Sequence, residues 1–307
     1  MTINFYSKMK KKIIFIVLAV WINITAIGQN PFHTDYKVDN LKGKVKSITE
    51  TNYVAVDKFG NIEKGEEINW VSKKYNTKGY TIEINQIPSE EDADNLDWLY
   101  EDEDTEYKNT GANRTVDTYI YKYNNKGKIT EFDHIIDGTM TYKYIYKYDD
   151  MERLTTCLSY NAKDSSLIAK FIYQYNNGKC TEMKYLAILN LLYEKKIYDN
   201  KYKLLEKYEY NEYGNIVAQS FYEYDNKGTL VKTLVYDSYE ILKTKALYNS
   251  YEDISEIEFY GEDHENQKGH CIYKKYDAKG NWLERITYEG MADIATAVTE
   301  RKIEYYE

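Results

Sequence analysis

Proline is nearly missing from this chain, with Pro31 and Pro88 the only two in 307 residues. Long strands can therefore run without the residue that ends or edges them. Cysteine is scarce as well, at Cys157, Cys180 and Cys271. An odd count excludes a fully paired disulfide framework, and the spacings match no zinc site. Buried free thiols are the expectation, with a Cys157–Cys180 bridge as the alternative. Histidine occurs at His33, His134, His264 and His270. His264 and His270 flank Glu265 near Cys271, but a polar loop explains this as well as a metal or Cys–His site. No metal and no cofactor is expected. A nucleophile elbow, a phosphate loop and a dinucleotide fingerprint are all missing. Paired carboxylates of a glycoside hydrolase are unreadable in so acidic a chain. The expectation is a protein without enzymatic activity.

Long apolar runs are also lacking, with one exception. Ile13 to Ile22 is apolar, follows Lys8, Lys10, Lys11 and Lys12, and precedes the small residues Ala26 and Gly28. That order is a secretory signal, here residues 1–28 and helical, and it is shorter than the ~20 residues a membrane anchor needs. The exported chain then carries 37 basic against 50 acidic residues, net −13. Nucleic acid and anionic lipid both need a basic footprint, so neither is an expected partner. The expected location is periplasmic, outer-membrane-associated or extracellular.

What the chain has in excess is tyrosine, 36 residues of it. The clearest arrangement is Tyr208-Glu-Tyr210-Asn211-Glu-Tyr-Gly214-Asn215-Ile216. Tyr208 and Tyr210 are two apart and share a strand face. Asn211 opens a turn, since its side-chain oxygen accepts from backbone ahead of it. Gly214 suits the left-handed residue of a type I turn with a G1 bulge. Good copies run from Tyr123, Tyr224 and Tyr276, and a shorter one from Tyr75. Copies without the glycine start at Tyr148, Tyr160, Tyr236 and Tyr248. Tyr175-Asn-Asn-Gly178 is one residue short, and Asp57 to Ile62 keeps the turn without the tyrosine. Asp137-Gly138 reads as a two-residue hairpin turn. The spacing suggests that one unit is one strand plus one turn, and that consecutive units form an antiparallel meander.

The fold class is thus all-β, a meander of repeated hairpins coiled into an elongated open shell or a rolled sheet. Residues 29–307 read as one repeat domain. Within it, an acidic loop near 89–113 holds ten acidic residues between Glu90 and Glu106. A calcium loop needs a sharp glycine turn among its ligands, and that stretch has none. Gly261 to Gly269 reads as a polar loop, and Met291 to Val298 as a turn or two of helix at most. In Thr139 to Tyr148 the tyrosines take one face and Lys143, Ile145 and Lys147 the other. Tyrosine running through whole strands, and not in two girdles, argues against a membrane-spanning barrel.

The Tyr-x-Tyr-(Asn/Asp)-x-x-Gly runs, seen best at Tyr121 to Ile129, Tyr208 to Ile216 and Tyr222 to Leu230, resemble the YD repeat of RHS-type bacterial shell proteins. The resemblance covers roughly Lys44 onward and is closest to the short exported repeat proteins of Bacteroidota that lack a toxin domain. It implies a β-repeat and says little of activity. The expected function is an exported, non-enzymatic scaffold that meets a protein or envelope partner. The alternative is a glycan-binding module that uses its Tyr-rich face. Any ligand is expected at Tyr208, Tyr210, Tyr222 and Tyr224, where large contact area comes with few rotors and a hydroxyl.

Overall fold

The protein was analysed as a computed structural model that describes residues 35–86, 115–261, 264–290 and 292–307. The signal segment 1–28 and the acidic loop 89–113 lie outside the described residues. Among the described residues, a short helical turn, α1 (Asp35–Val38), is followed by eighteen strands. They are β1 (Val45–Lys58), β2 (Asn61–Tyr75), β3 (Thr81–Gln86), β4 (Thr115–Tyr123), β5 (Ile129–Ile136) and β6 (Thr139–Tyr148). Next come β7 (Leu154–Asn161), β8 (Leu167–Asn176), β9 (Lys179–Leu186), β10 (Leu191–Tyr198), β11 (Leu204–Tyr210) and β12 (Ile216–Tyr224). The last six are β13 (Leu230–Asp237), β14 (Leu242–Tyr248), β15 (Ile254–Gly261), β16 (His264–Tyr276), β17 (Trp282–Glu289) and β18 (Ile294–Tyr305).

Each strand pairs antiparallel with the next, as the turn motif requires. The open shell is corrected by one further pairing, which rolls the sheet shut. β1 lies against β18, from Val45 opposite Tyr305 to Val54 opposite Ala297, and the meander closes into a barrel. Closure leaves no edge to cap. Two local expectations also change. His264 to Gly269 is strand rather than loop, because it continues the ladder opposite Gln267-facing Phe259 and its neighbours on β15. Ile294 to Val298 is strand rather than helix, paired with β17.

The turns explain the meander. At Asn124, Asp149, Asp199, Asn211, Asp225, Asp237, Asn249 and Asp277 the side-chain Oδ1 accepts from the N–H groups two and four residues on. The third residue after each is left-handed, for example Gly214 at φ 78° and Glu152 at φ 62°. A bulge accompanies the turn, as between Lys122 and Tyr123. Two copies differ in length. After Asn161 the left-handed residue is Ser165, one later than the motif places it, and Phe59-Gly60 forms a two-residue turn. A Cβ at Gly214 would meet nothing within 4 Å, so substitution there tests backbone alone. Gly214→Val should cost more than about 1 kcal/mol, and Glu152→Gly should gain up to about 1 kcal/mol. Coincident denaturation curves for wild type and Gly214→Val would refute this account of the turn.

The structural repeat is two strands, not one. Every even-numbered strand from β2 to β16 closes on a Tyr-Asn or Tyr-Asp pair, its tyrosine the last residue except in β8, where Asn176 follows Tyr175 within the strand, and the pairs lie about 25 residues apart from β4 onward. All eight turns after even strands lie at one end of the barrel. Turns after odd strands lie at the other. Cross-strand partners share a face, so the register fixes which side chains point together. Tyr121, Phe132, Tyr144, Ser159 and Ala169 form one such row. This face is the inside of the barrel, since its side chains supply the buried core. Its core contains Ile129, Phe132, Tyr144, Tyr146, Phe171, Tyr173 and Tyr198. Phe132 stacks between Tyr121 and Tyr144 at 5.3 and 4.9 Å. A smaller cluster, Leu41, Val45, Ile48 and Tyr75, sits where the N-terminal segment meets β1 and β2.

Candidate functional site

The tyrosine that closes each hairpin is held in a recurring way. Tyr148, Tyr175 and Tyr224 donate their hydroxyls to the carbonyls of Ile129, Leu154 and Leu204, the first residues of β5, β7 and β11. In β16 a bulge passes this role to Tyr273, which donates to Ile254. A cation from the preceding turn covers the ring in several cases. Arg153 lies 4.7 Å from the Tyr175 ring centre and Lys203 5.0 Å from that of Tyr224.

Inside the even-turn end, a cleft of about 200 Å³ is enclosed by the turns that follow β2, β4, β6 and β10 and by the end of β8. Tyr80, Tyr146, Tyr148, Tyr175 and Tyr202 line it, with Arg153 on its rim. Burial pushes the Tyr148 phenol up to about 12, so these walls stay neutral and act as donors. The rim charges are already paired, Arg153 with Asp149 at 2.7 Å and Lys126 with Glu152. Ligand pockets usually span ~300–1,000 Å³. This cleft has room for one ring, not a chain of sugars.

Two further clusters occupy the concave face. On β9 to β11, Lys196 lies 2.7 Å from Glu194 and 3.6 Å from Glu182, while Lys207 lies 3.3 Å from Glu194 and 2.5 Å from Glu209. Burial pushes the Glu182 carboxyl up. Burial works against the Lys196 ammonium, yet Glu182 and Glu194 lift its pKa above the ordinary value. On β17, Trp282 is buried between two guanidiniums, Arg301 at 3.5 Å and Arg285 at 5.0 Å from the ring centre. Arg301 is fixed in turn by Glu50 at 2.7 Å, and Arg285 donates to Thr299.

The four tyrosines expected to bind a ligand do not converge. Tyr208 and Tyr210 lie on the outer face near an odd-strand turn. The Tyr208 hydroxyl donates to Glu206, and its ring meets the edge of Phe221. Tyr222 and Tyr224 lie on the concave face at the opposite end, and burial pushes both phenols up. The same motif separates them because an odd and an even strand present opposite faces at their ends. Cys157 and Cys180 are free and buried, and burial pushes the Cys180 thiol up to about 11. His270 stacks on Tyr288 on the outer face, while its neighbour Cys271 points to the concave side beside Thr287. The described residues contain no cluster suited to a metal. Sequence reading missed the Glu–Lys ladder, although Glu182-x-Lys184, Glu194-x-Lys196 and Lys207-x-Glu209 alternate visibly. It also missed the tryptophan sandwich, whose partners are far apart in the chain and left no local signal.

No protein-family model and no curated protein matches this sequence. Among solved structures, a porin-like protein from Bacteroides uniformis is 12% identical, with TM-score 0.44, over 86% of this chain and 99% of that one. TcdB2–TccC3–Cdc42, a structure of the RHS/YD-repeat toxin TcdB2–TccC3, is 11% identical, with TM-score 0.34, over 83% of this chain and 14% of that one. A DUF3836 family protein from Bacteroides vulgatus is 18% identical, with TM-score 0.21, over 25% of this chain and 87% of that one. None of these likenesses is close enough to transfer a residue role.

Proposed function

We propose that the protein is an exported, non-enzymatic barrel of the cell envelope that serves as an interaction scaffold and stands in water. The observation behind this reading is the outer face. Lys122, Glu131 and Lys143 form one ion-pair ladder there, and Lys245, Glu258, Lys268 and Glu256 another. A membrane-spanning barrel carries an apolar band ~25 Å tall on that side. Here the apolar and aromatic groups favour the inside. The leader-like residues Lys8 to Gly28 support export. Fractionation of native envelopes tests the reading. The chain should leave the membrane in alkaline carbonate and begin at Gln29 on N-terminal sequencing. Retention until detergent is added would defeat it.

The cleft favours a second reading, recognition of a single sugar ring against Tyr80 and Tyr202. On this reading Tyr224 remains architectural. Tyr224→Phe should lose about 1 kcal/mol of stability with its bond to Leu204. Titration of monosaccharides against wild type and Tyr80→Ala decides whether the cleft binds. No heat with the wild type would leave the scaffold reading alone.

A further inference from the structure

The two ends of the barrel use the same turn and finish it differently. At the third turn position the even-strand end carries mostly lysine, namely Lys78, Lys126, Lys201, Lys227 and Lys279, all exposed, with Met151 and the less exposed Tyr251 as the apolar exceptions. The odd-strand end carries Tyr213 and Tyr239 at that position, also exposed, beside a single lysine, Lys163. The backbone bonds are the same in both cases, so the turn itself does not require an aromatic residue there. Other turns at the odd-strand end repeat the choice. Phe59 is fully exposed, Ile188 is 90% exposed, and Leu189 and Ile294 project likewise. Phe59 stands at the tip of the β1–β2 hairpin, which outruns its neighbours. Among the described residues β1 has no partner on β18 beyond Val54, and β2 none on β3 before Val71. The hairpin is shaped for this departure. A Cβ at Gly65 would lie 2.8 Å from Val56 Cγ2 and 3.0 Å from the Val54 carbonyl oxygen, so glycine permits the close crossing.

We propose that this end of the barrel rests on a lipid surface of neutral or zwitterionic headgroups, with Phe59, Ile188, Leu189, Tyr213, Tyr239 and Ile294 dipping into the headgroup–acyl boundary. Three features select this occupant. Adjacent tips are two strands, or about 10 Å, apart, so they form separate points around a rim and not one continuous patch for a protein partner. Aliphatic tips mixed with tyrosine and phenylalanine suit an interface that is apolar below and wet above. The charges between the tips are mostly acidic, namely Asp137, Asp164, Glu212, Glu240 and Asp293 against Lys58 and Lys163. Attraction to anionic headgroups is therefore not the source of binding. The contact is by tips alone and leaves the charged outer wall in water. This inference goes beyond the scaffold reading and does not depend on it, since it is tested on purified protein.

The test uses the full chain with phosphatidylcholine vesicles. An environment-sensitive fluorophore is placed by Ile188→Cys, and in a second sample by Met151→Cys at the other end. The label at 188 should shift to the blue on adding vesicles and be quenched by brominated acyl chains, while the label at 151 stays unchanged. Ser at Phe59, Ile188 and Leu189 together should weaken the 188-end contact, read from a label at Tyr239→Cys, by at least about 30-fold. Melting temperature should hold, since these side chains are exposed. Added salt should leave the wild-type response intact. Equal response at both ends, a requirement for anionic lipid, or no shift at all would overturn the proposal. So would a blue shift without lipid that grows with protein concentration, the sign of a second copy on this face.

Discussion

Trp282→Ala should lower the melting temperature by on the order of 10 °C. The residue is 1% exposed and its ring lies between Arg285 and Arg301. Removing a buried tryptophan typically costs about 3–5 kcal/mol, and each kcal/mol is worth roughly 2–4 °C in a chain of this size. The loss is more than a cavity, because both guanidiniums are left without their aromatic face. The indole nitrogen has no hydrogen-bond partner among the described residues. Trp282→Phe therefore breaks no bond and should recover most of the stability. Differential scanning calorimetry on the two variants makes the comparison. A fall of under 2 °C for the alanine variant would mean that the sandwich does not hold the β17–β18 wall.

Lys196→Met should cost about 3–5 kcal/mol, because it leaves Glu182 and Glu194 buried without the cation they share. Adding Glu182→Leu should restore most of that loss, since replacing both members of a buried pair by apolar groups is often near neutral. Urea denaturation of the two single variants and the double variant measures the coupling. Acid gives a second readout. The Glu182 pKa is raised by burial above its ordinary 4.5, so the unfolded chain releases this proton first as pH rises. Stability tied to Glu182 is complete below 4.5 and is lost as pH climbs toward the folded value. Without Lys196 that window widens upward, and the variant should recover stability between pH 7 and 5 more than wild type does. Additive losses with no pH difference would show that the two side chains do not act as a pair.

The meander was legible because its signals are local. Asn211 and Gly214 specify their turn within five residues, and Thr139 to Tyr148 was readable to the residue as β6. The two-strand period was not, because the local motif at Tyr210 is the same as that at Tyr224. What differs is the parity of the strand that each one ends, and a shift of one residue moves a whole strand to the other face. The four expected tyrosines are kept apart for this reason. Tyr208 and Tyr210 were grouped with Tyr222 and Tyr224 by pattern, while the sheet sends the pairs to opposite faces and ends. Closure was unreadable for a different reason. The pairing of Ile48 with Ile303 depends on the number of strands and their accumulated twist, and neither β1 nor β18 announces it.

That seam has a kinetic meaning. Glu50 and Arg301 are 251 residues apart in sequence, and they are bonded at the join between the first and last strands. Bringing the ends of so long a segment together costs about 5 kcal/mol in chain entropy if the rest is unstructured. Much less is lost once the intervening hairpins have formed and curved. Assembly should therefore run by local zippering and finish with the sealing of β1 onto β18. A chain cut short by one strand would stay open, with two long edges ready to pair with another molecule.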